Sequence, residues 1–235
     1  MAVKTHVEGR GLSKVVERQL RRWEIASEHS PTGNGAKSGP VWSFIALSNQ
    51  VGAGGDDVAA LLGTKLGWPV FDKQILQFMA GNDEVRTRLY KNMDERDLGW
   101  FEESIRSLMQ KEFRRNDYFH RLTQTVLLLA RRGPAIYLGR GVDLILPRGR
   151  GLRVQVIASR QRRVEQFARR AGTTLEEASA QIERVEQERR DFIRHDFHAD
   201  ADDPTRFDLL INVERISPQD AAKLIEAALA VRQAK

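Results

Sequence analysis

Residues 41–62 read VWSFIALSNQVGAGGDDVAALL, and the fold follows from how that stretch is read. Residues 41–47 are an apolar run rich in β-formers that stops at Ser48, Asn49 and Gln50. A glycine cluster follows, Gly52-Ala53-Gly54-Gly55, and Asp56-Asp57 opens a helical pattern through Leu62. Strand, glycine turn and helix form the setting in which a glycine-rich segment cradles phosphate. Glycine lets successive N–H groups turn toward one point, and the helix N-terminus adds about half a positive charge there. The alternative is a tight strand–helix turn that holds nothing. A standard phosphate loop reads G-x-x-x-x-G-K-[ST]; here Gly55 stands at the lysine, and the acidic pair Asp56-Asp57 follows where the hydroxyl should be.

Outward from this stretch, strands alternate with helices. Residues 68–71 predict a short second strand with Asp72 at its carboxyl end, the edge where open parallel sheets hold ligands. Asp72 also suits the N-cap of a helix over 74–79. Residues 81–132 carry no strand signal and predict a helical insertion. A third strand, 135–138, runs into Gly139-Arg140-Gly141. Flanking glycines let the backbone bend around an anion while the guanidinium grips it bidentately; otherwise this is a plain turn with an exposed arginine. Residues 152–158 predict the fourth strand and 207–213 the fifth, with Ser217-Pro218 starting a last helix.

Between the fourth and fifth strands lies a basic helical hairpin, about 159–198. Gly172 ends its first helix, and Thr174 with Glu177 forms a capping box for the second. Asp191 and Arg194 are i,i+3 and share a face. Such a hairpin is what a lid closing over phosphates needs. Alternatively Glu183, Glu186 and Glu188 tie up its arginines in surface pairs, each contributing roughly 0–1 kcal/mol. His195 and His198 beside Asp200, Asp202 and Asp203 read as an acidic turn rather than a metal cluster.

The first 40 residues read differently. Leu12, Val15, Val16, Leu20 and Trp23 recur at helical spacing, and residues 30–40 (SPTGNGAKSGP) have linker composition. The expected division is therefore an arm and linker over 1–40 and one α/β domain over 41–235. The arm could pack on that domain, on a second subunit or on another protein.

Apolar residues make up 41% of the 235, enough for a real core. No apolar run approaches the roughly 18 residues that read as a membrane span. The start MAVKTHVEGRGL lacks the apolar stretch of a secretory signal. Zero cysteines exclude disulfides and thiol catalysis and fit a cytoplasmic setting. The net charge of +6, from 38 Lys+Arg against 32 Asp+Glu, is carried mainly by arginine, whose planar fork suits phosphates.

Taken in order, these segments resemble the nucleoside monophosphate kinases, and within them the cytidylate kinase-like family whose glycine loop lacks the lysine. The resemblance rests on S-x-Q-V-G-A-G-G-D-x-V-A at 48–59, K-L-G-W-P-V-F-D-K at 65–73 and D-E-R at 94–96. It continues through G-R-G at 139–141, E-R-R-D-F-I-R at 188–194 and D-D-P-x-x-F-D-L-L-I-N at 202–212. It implies an α/β, P-loop NTPase-like three-layer sandwich with a five-stranded parallel sheet, a helical monophosphate-binding insertion and a helical lid. It also implies transfer of the ATP γ-phosphoryl group to CMP or dCMP with Mg²⁺. On that resemblance Gly52, Ala53, Gly54, Gly55, Asp56 and Asp57 cradle ATP, and Asp72 lies against the acceptor nucleoside. Arg140 holds the acceptor phosphate, Asp191 and Arg194 approach cytosine and the transferring phosphoryl, and Arg160 and Arg163 reach ATP phosphates.

Asp57 has two readings, a Mg²⁺ ligand or a charge that repels phosphate. Besides Gly55, two positions depart from the family pattern: Asn49 and Gln187 both stand where arginine is usual. The charge the loop lacks must then come from Arg140 and the lid. The expected partner is a small nucleotide, with oligomer or protein contacts through the arm left open and nucleic acid disfavoured. The alternative is a catalytically impaired pseudokinase that binds nucleotide or a protein.

Overall fold

The computed structural model describes residues 2–28, 43–91, 105 and 117–233. Five strands build one sheet: β1 (Phe44–Asn49), β2 (Val70–Phe71), β3 (Ala135–Leu138), β4 (Leu152–Ile157) and β5 (Leu209–Asn212). Their order is β2-β3-β1-β4-β5 and all pairs are parallel. The helices are α1 (Ala2–Glu28), α2 (Gly55–Leu66), α3 (Lys73–Gly81), α4 (Asp83–Lys91), α5 (Asp117–Arg132), α6 (Val142–Ile145), α7 (Arg160–Ala171), α8 (Leu175–Phe197) and α9 (Pro218–Gln233).

A parallel sheet is covered on both faces, so its strands are apolar at nearly every position. β1 shows this: Phe44 and Ala46 enter one core cluster while Ile45 and Leu47 enter the other. The first cluster adds α3, α5 and side chains of α1, the second α2 and α9. The three layers expected from the family resemblance are therefore present.

β1 sits at the centre, pairing with β3 on one side and β4 on the other. The chain crosses to the β2–β3 side after β1 and returns later to β4 on the opposite side. That reversal opens a crevice at the carboxyl ends of β1, β3 and β4. The 41–47 strand expected from apolarity runs on through Asn49, because Ser48 and Asn49 pair with Gln155 and Val156. The fifth strand is shorter than 207–213, since residues 204–206 form a 3₁₀ turn and Asp208 turns its carboxylate to the Arg153 N–H.

The N-terminal helix packs within the chain, against α3. Val16, Leu20 and Trp23 are fully buried, and the Trp23 indole N–H donates to the Leu129 carbonyl at 3.0 Å. Gln19 accepts the Val70 N–H, and Arg88 of α4 pairs with Glu24 and Glu17. Asp94, Glu95 and Arg96, together with Trp100, Phe101 and Phe113, lie outside the described residues. No helix among those described is long and apolar enough to cross a membrane.

Candidate active site

The crevice is a cleft of about 670 Å³, open to solvent on one side. Its floor is the end of β1, from Ser48 to Gln50, with Gln155 of β4. Asp72, Lys73 and Gln74 from the start of α3 form one wall, and Gly139, Arg140 and Gly141 form the next. The lid helix α8 supplies Glu186, Glu188, Arg189, Arg190, Phe192 and Ile193. Asp143, Ala201, Asp202 and Arg206 close the far end.

The glycine loop has the backbone a cradle requires. Gly52 and Gly54 have φ of 85° and 79°, in the left-handed region that only glycine enters freely. A Cβ at Gly52 would meet the Arg163 carbonyl oxygen at 2.5 Å. Gly54 caps α2 without any side-chain cap bond, so the Gly55 and Asp56 N–H groups keep their donors for another partner, while the Asp57 N–H donates to the Gly54 carbonyl at 3.2 Å. The loop is also clamped from the lid. The buried Arg163 donates to the carbonyls of Ala158 and Val51 and pairs with Glu186 at 2.6 Å, while Glu186 accepts the Val51 N–H.

The glycine at the lysine position has a steric cause. A Cβ on Gly55 would meet the Asn49 Cβ and Cγ at 2.6 Å each. Asn49 thus fills the space a lysine stem would leave through. Gly55→Lys is expected to destabilise the fold by about 1–3 kcal/mol through overpacking. Pairing it with Asn49→Gly should recover most of that loss in thermal unfolding.

Arg140 occupies a strained position. Its φ is 59°, in a region rare for residues other than glycine. Its guanidinium donates to Gln77 at 2.8 Å and lies 5.6 Å from the Tyr118 ring and 5.8 Å from the Phe192 ring. Its buried Nε has no hydrogen-bond partner among the described residues. A strained cation with an unmet donor, held between aromatic rings at a cleft wall, is poised for an anion.

Two further cations face the same volume. Burial lowers the Lys73 pKa from its ordinary value, and the charges of Arg140 and Arg189 lower it further while Glu188 opposes. Arg189 donates to the Asn49 carbonyl at 2.8 Å, reaching from the lid to the end of β1. Packing at the cleft wall lowers its pKa, with Glu186 and Asp56 raising it and Arg140 lowering it, although the residue stays open to solvent over the cleft.

The residues singled out from sequence divide between this cleft and its surroundings. Asp56, Asp72, Arg140 and Arg163 line it. Asp72 also caps α3, its Oδ1 accepting the Gln74 and Ile75 N–H groups at 2.8 and 2.9 Å. Asp57 is not among the lining residues and pairs with Arg170 of α7. Arg160 lies outside as well, bound to Glu183 and Ser179. Asp191 accepts from Gln187 and stands 4.0 Å from Arg194. Arg194 borders a shallower recess with Arg190, His198 and Asp200. Lys73 and Arg189 escaped selection by sequence, where a lysine after an N-cap and one arginine among several look like ordinary surface charge.

Group fits can be tested on these contacts. A polyphosphate suits the uncapped helix start and the three cations. A Mg²⁺ ion held largely by substrate phosphates needs one or two carboxylates, and Asp56, facing the cleft, offers one. No group of three or more metal-ligating side chains occurs among the described residues, including His195 and His198.

A search of curated proteins finds no match. A solved structure of an uncharacterized protein from Eubacterium ventriosum is 16% identical with a TM-score of 0.66, covering 81% of this chain and 99% of that one. TT1252 from Thermus thermophilus is 22% identical with a TM-score of 0.46, covering 83% and 98%. Shikimate kinase from Bacteroides thetaiotaomicron is 15% identical with a TM-score of 0.44, covering 80% and 98%. Among family patterns, that of the cytidylate kinase-like family matches residues 44–215, from the first residue of β1 past the end of β5. A match that takes in the whole sheet, the glycine loop and the lid shows that this chain belongs to the cytidylate kinase-like family.

Proposed function

We propose that the protein is a phosphotransferase that moves the ATP γ-phosphoryl group to the phosphate of CMP or dCMP. The observation that carries this reading is Arg140, strained and with an unmet donor, facing one cleft with Lys73, Arg189 and the uncapped start of α2. ATP with Mg²⁺, when bound, supplies the phosphoryl group and screens its charge. The bond from the γ-phosphorus to the β–γ bridging oxygen breaks, a bond to an acceptor phosphate oxygen forms, and ADP and a nucleoside diphosphate leave. The protein's task in such a transfer is positioning and charge stabilisation.

Arg140 grips the acceptor phosphate, and Asp72 lies beside the acceptor nucleoside with one oxygen committed to its cap. Gly52, Gly54, Gly55 and Asp56 present N–H groups to the donor phosphates, while Ala53 shapes the turn by donating its N–H to the Gln50 carbonyl at 3.0 Å. Asp56 takes the metal-binding role first given to Asp57, whose carboxylate is engaged by Arg170. Arg163 holds the loop to the lid through Glu186. Asp191, Arg194 and Arg160 stand on the lid helices, and lid closure would bring the first two toward the cytosine.

A coupled assay for ADP release over CMP, dCMP, UMP, AMP and GMP tests the reading. The expected result is turnover with CMP or dCMP above the other acceptors. ATP binding without ADP release for any acceptor would overturn it in favour of a nucleotide-binding protein without transfer.

A further inference from the structure

A phosphate loop without its lysine still faces the negative charge of a triphosphate, and something must neutralise it. The lysine position itself is closed, since the Asn49 side chain fills the space beyond Gly55. The same residue provides an alternative. Its main-chain carbonyl, at the carboxyl end of β1, accepts a hydrogen bond from Arg189 at 2.8 Å. One residue thus excludes a cation from the loop and fixes another beside it, delivered from the lid helix.

Lys73 approaches from the opposite side, in the first turn of α3. It has no ion-pair partner within 4.0 Å among the described residues, and its closest electrostatic influences are Arg140, Arg189 and Glu188. Arg189 is likewise unpaired at that distance, because Glu186 is committed to Arg163. The neighbouring lid arginines are spent differently: Arg190 pairs with Glu183, and Arg194 leans toward Asp191 outside the cleft. Glu188 near Lys73 and Asp56 near Arg189 offset part of the repulsion among the three cations, but neither carboxylate lies within ion-pair distance of them among the described residues, so an anion entering the cleft meets donors that no ion pair occupies.

We propose that Arg189 and Lys73 together replace the phosphate-loop lysine, binding the polyphosphate of a nucleoside triphosphate between the lid and α3. The proposal rests on the phosphoryl-transfer reading above, in which these two residues count only as cleft charge, and gives each of them a role of its own. Arg189 offers the planar donor set that matches phosphate oxygens, and Lys73 a mobile point charge. Because Arg189 rides on α8, the cationic contact assembles only with the lid in place. A fixed loop lysine would be present in every state; this one depends on lid position.

The probe is inorganic tripolyphosphate, titrated into the full chain by calorimetry with and without Mg²⁺. Wild type is expected to bind. Arg189→Gln and Lys73→Met are each expected to weaken binding roughly tenfold to hundredfold, the loss of one charged contact. Lys73→Arg should stay within about threefold of wild type, since charge and reach are kept. Arg169→Ala, on the exposed outer face of α7, should bind as wild type. Thermal unfolding of each variant identifies any that binds poorly only because it folds poorly, and the Lys73 pair decides the matter if Arg189→Gln unfolds.

Unchanged binding in both Arg189→Gln and Lys73→Met overturns the proposal, as does a wild type that binds no tripolyphosphate. Equal losses in Lys73→Met and Lys73→Arg also overturn it, because the effect would not follow charge. If the variants lose tripolyphosphate as expected while the wild type phosphorylates no monophosphate, the anion site stands and the transfer reading fails.

Discussion

Arg140→Gly is expected to lower kcat/KM for the acceptor by about two to three orders of magnitude, the usual cost of removing one preorganised donor from a charge-developing site. The stability change should be small by comparison. Glycine relieves the left-handed backbone at φ 59°, a gain of roughly 1–2 kcal/mol. Against that stand the lost Gln77 hydrogen bond and the contacts with Tyr118 and Phe192, together of similar size. Net stability should therefore lie within about 1 kcal/mol of wild type. A variant that is folded and nearly inactive separates function from structure at this residue. Steady-state kinetics beside thermal unfolding reads both; unchanged kcat/KM would remove Arg140 from the acceptor site.

Arg206→Ala should have the largest effect on the fold. Arg206 and Asp143 are both almost fully buried, with Nε and one terminal nitrogen donating to the same Asp143 oxygen at 3.0 and 2.7 Å. A third nitrogen holds the Asp200 carbonyl. Removing the arginine leaves a buried carboxylate without its cation, which typically costs about 3–5 kcal/mol. For a chain of this size that corresponds to a melting-temperature drop of roughly 6–20 °C. Replacing both partners by leucine should recover much of the loss, since no charge is then stranded. The pair also anchors α6, whose N-cap is Gly141, next to Arg140. Where the variant is still folded, activity should fall with it. A drop below about 1 kcal/mol would show that water or a neighbouring group satisfies Asp143 instead.

How much of this was legible in the chain depends on distance along it. The strand-end Asp72 and the Gly139-Arg140-Gly141 turn are local signals, and both line the cleft, whereas the equally local glycine turn at 52–55 sits beside it, with only Asp56 after it among the lining residues. The packing of α1 was not legible. An amphipathic stripe shows that Val16, Leu20 and Trp23 are buried but not that Leu129, 106 residues on from Trp23, receives the indole N–H. The partners of Arg163 were hidden for a related reason. The family resemblance points it at ATP phosphates, and nothing local in the sequence shows that Glu186, 23 residues later on the facing helix, meets it together with two carbonyls.

Helix phase accounts for the rest. Asp56 and Asp57 are one residue apart, so α-helical geometry turns them about 100° from each other; one faces the cleft and the other Arg170. The same rotation sends Arg189 into the cleft and Arg194 out of it. Sequence identifies the residue types, and only the packed helix fixes their direction.

The most direct test of the central claim is a crystal structure of the chain with CMP, Mg²⁺ and a non-hydrolysable ATP analogue. The account predicts the CMP phosphate within hydrogen-bond distance of Arg140 and the triphosphate lying along the N–H groups of Gly54, Gly55 and Asp56. Arg140 still bound only to Gln77, with the triphosphate elsewhere or absent, would contradict it.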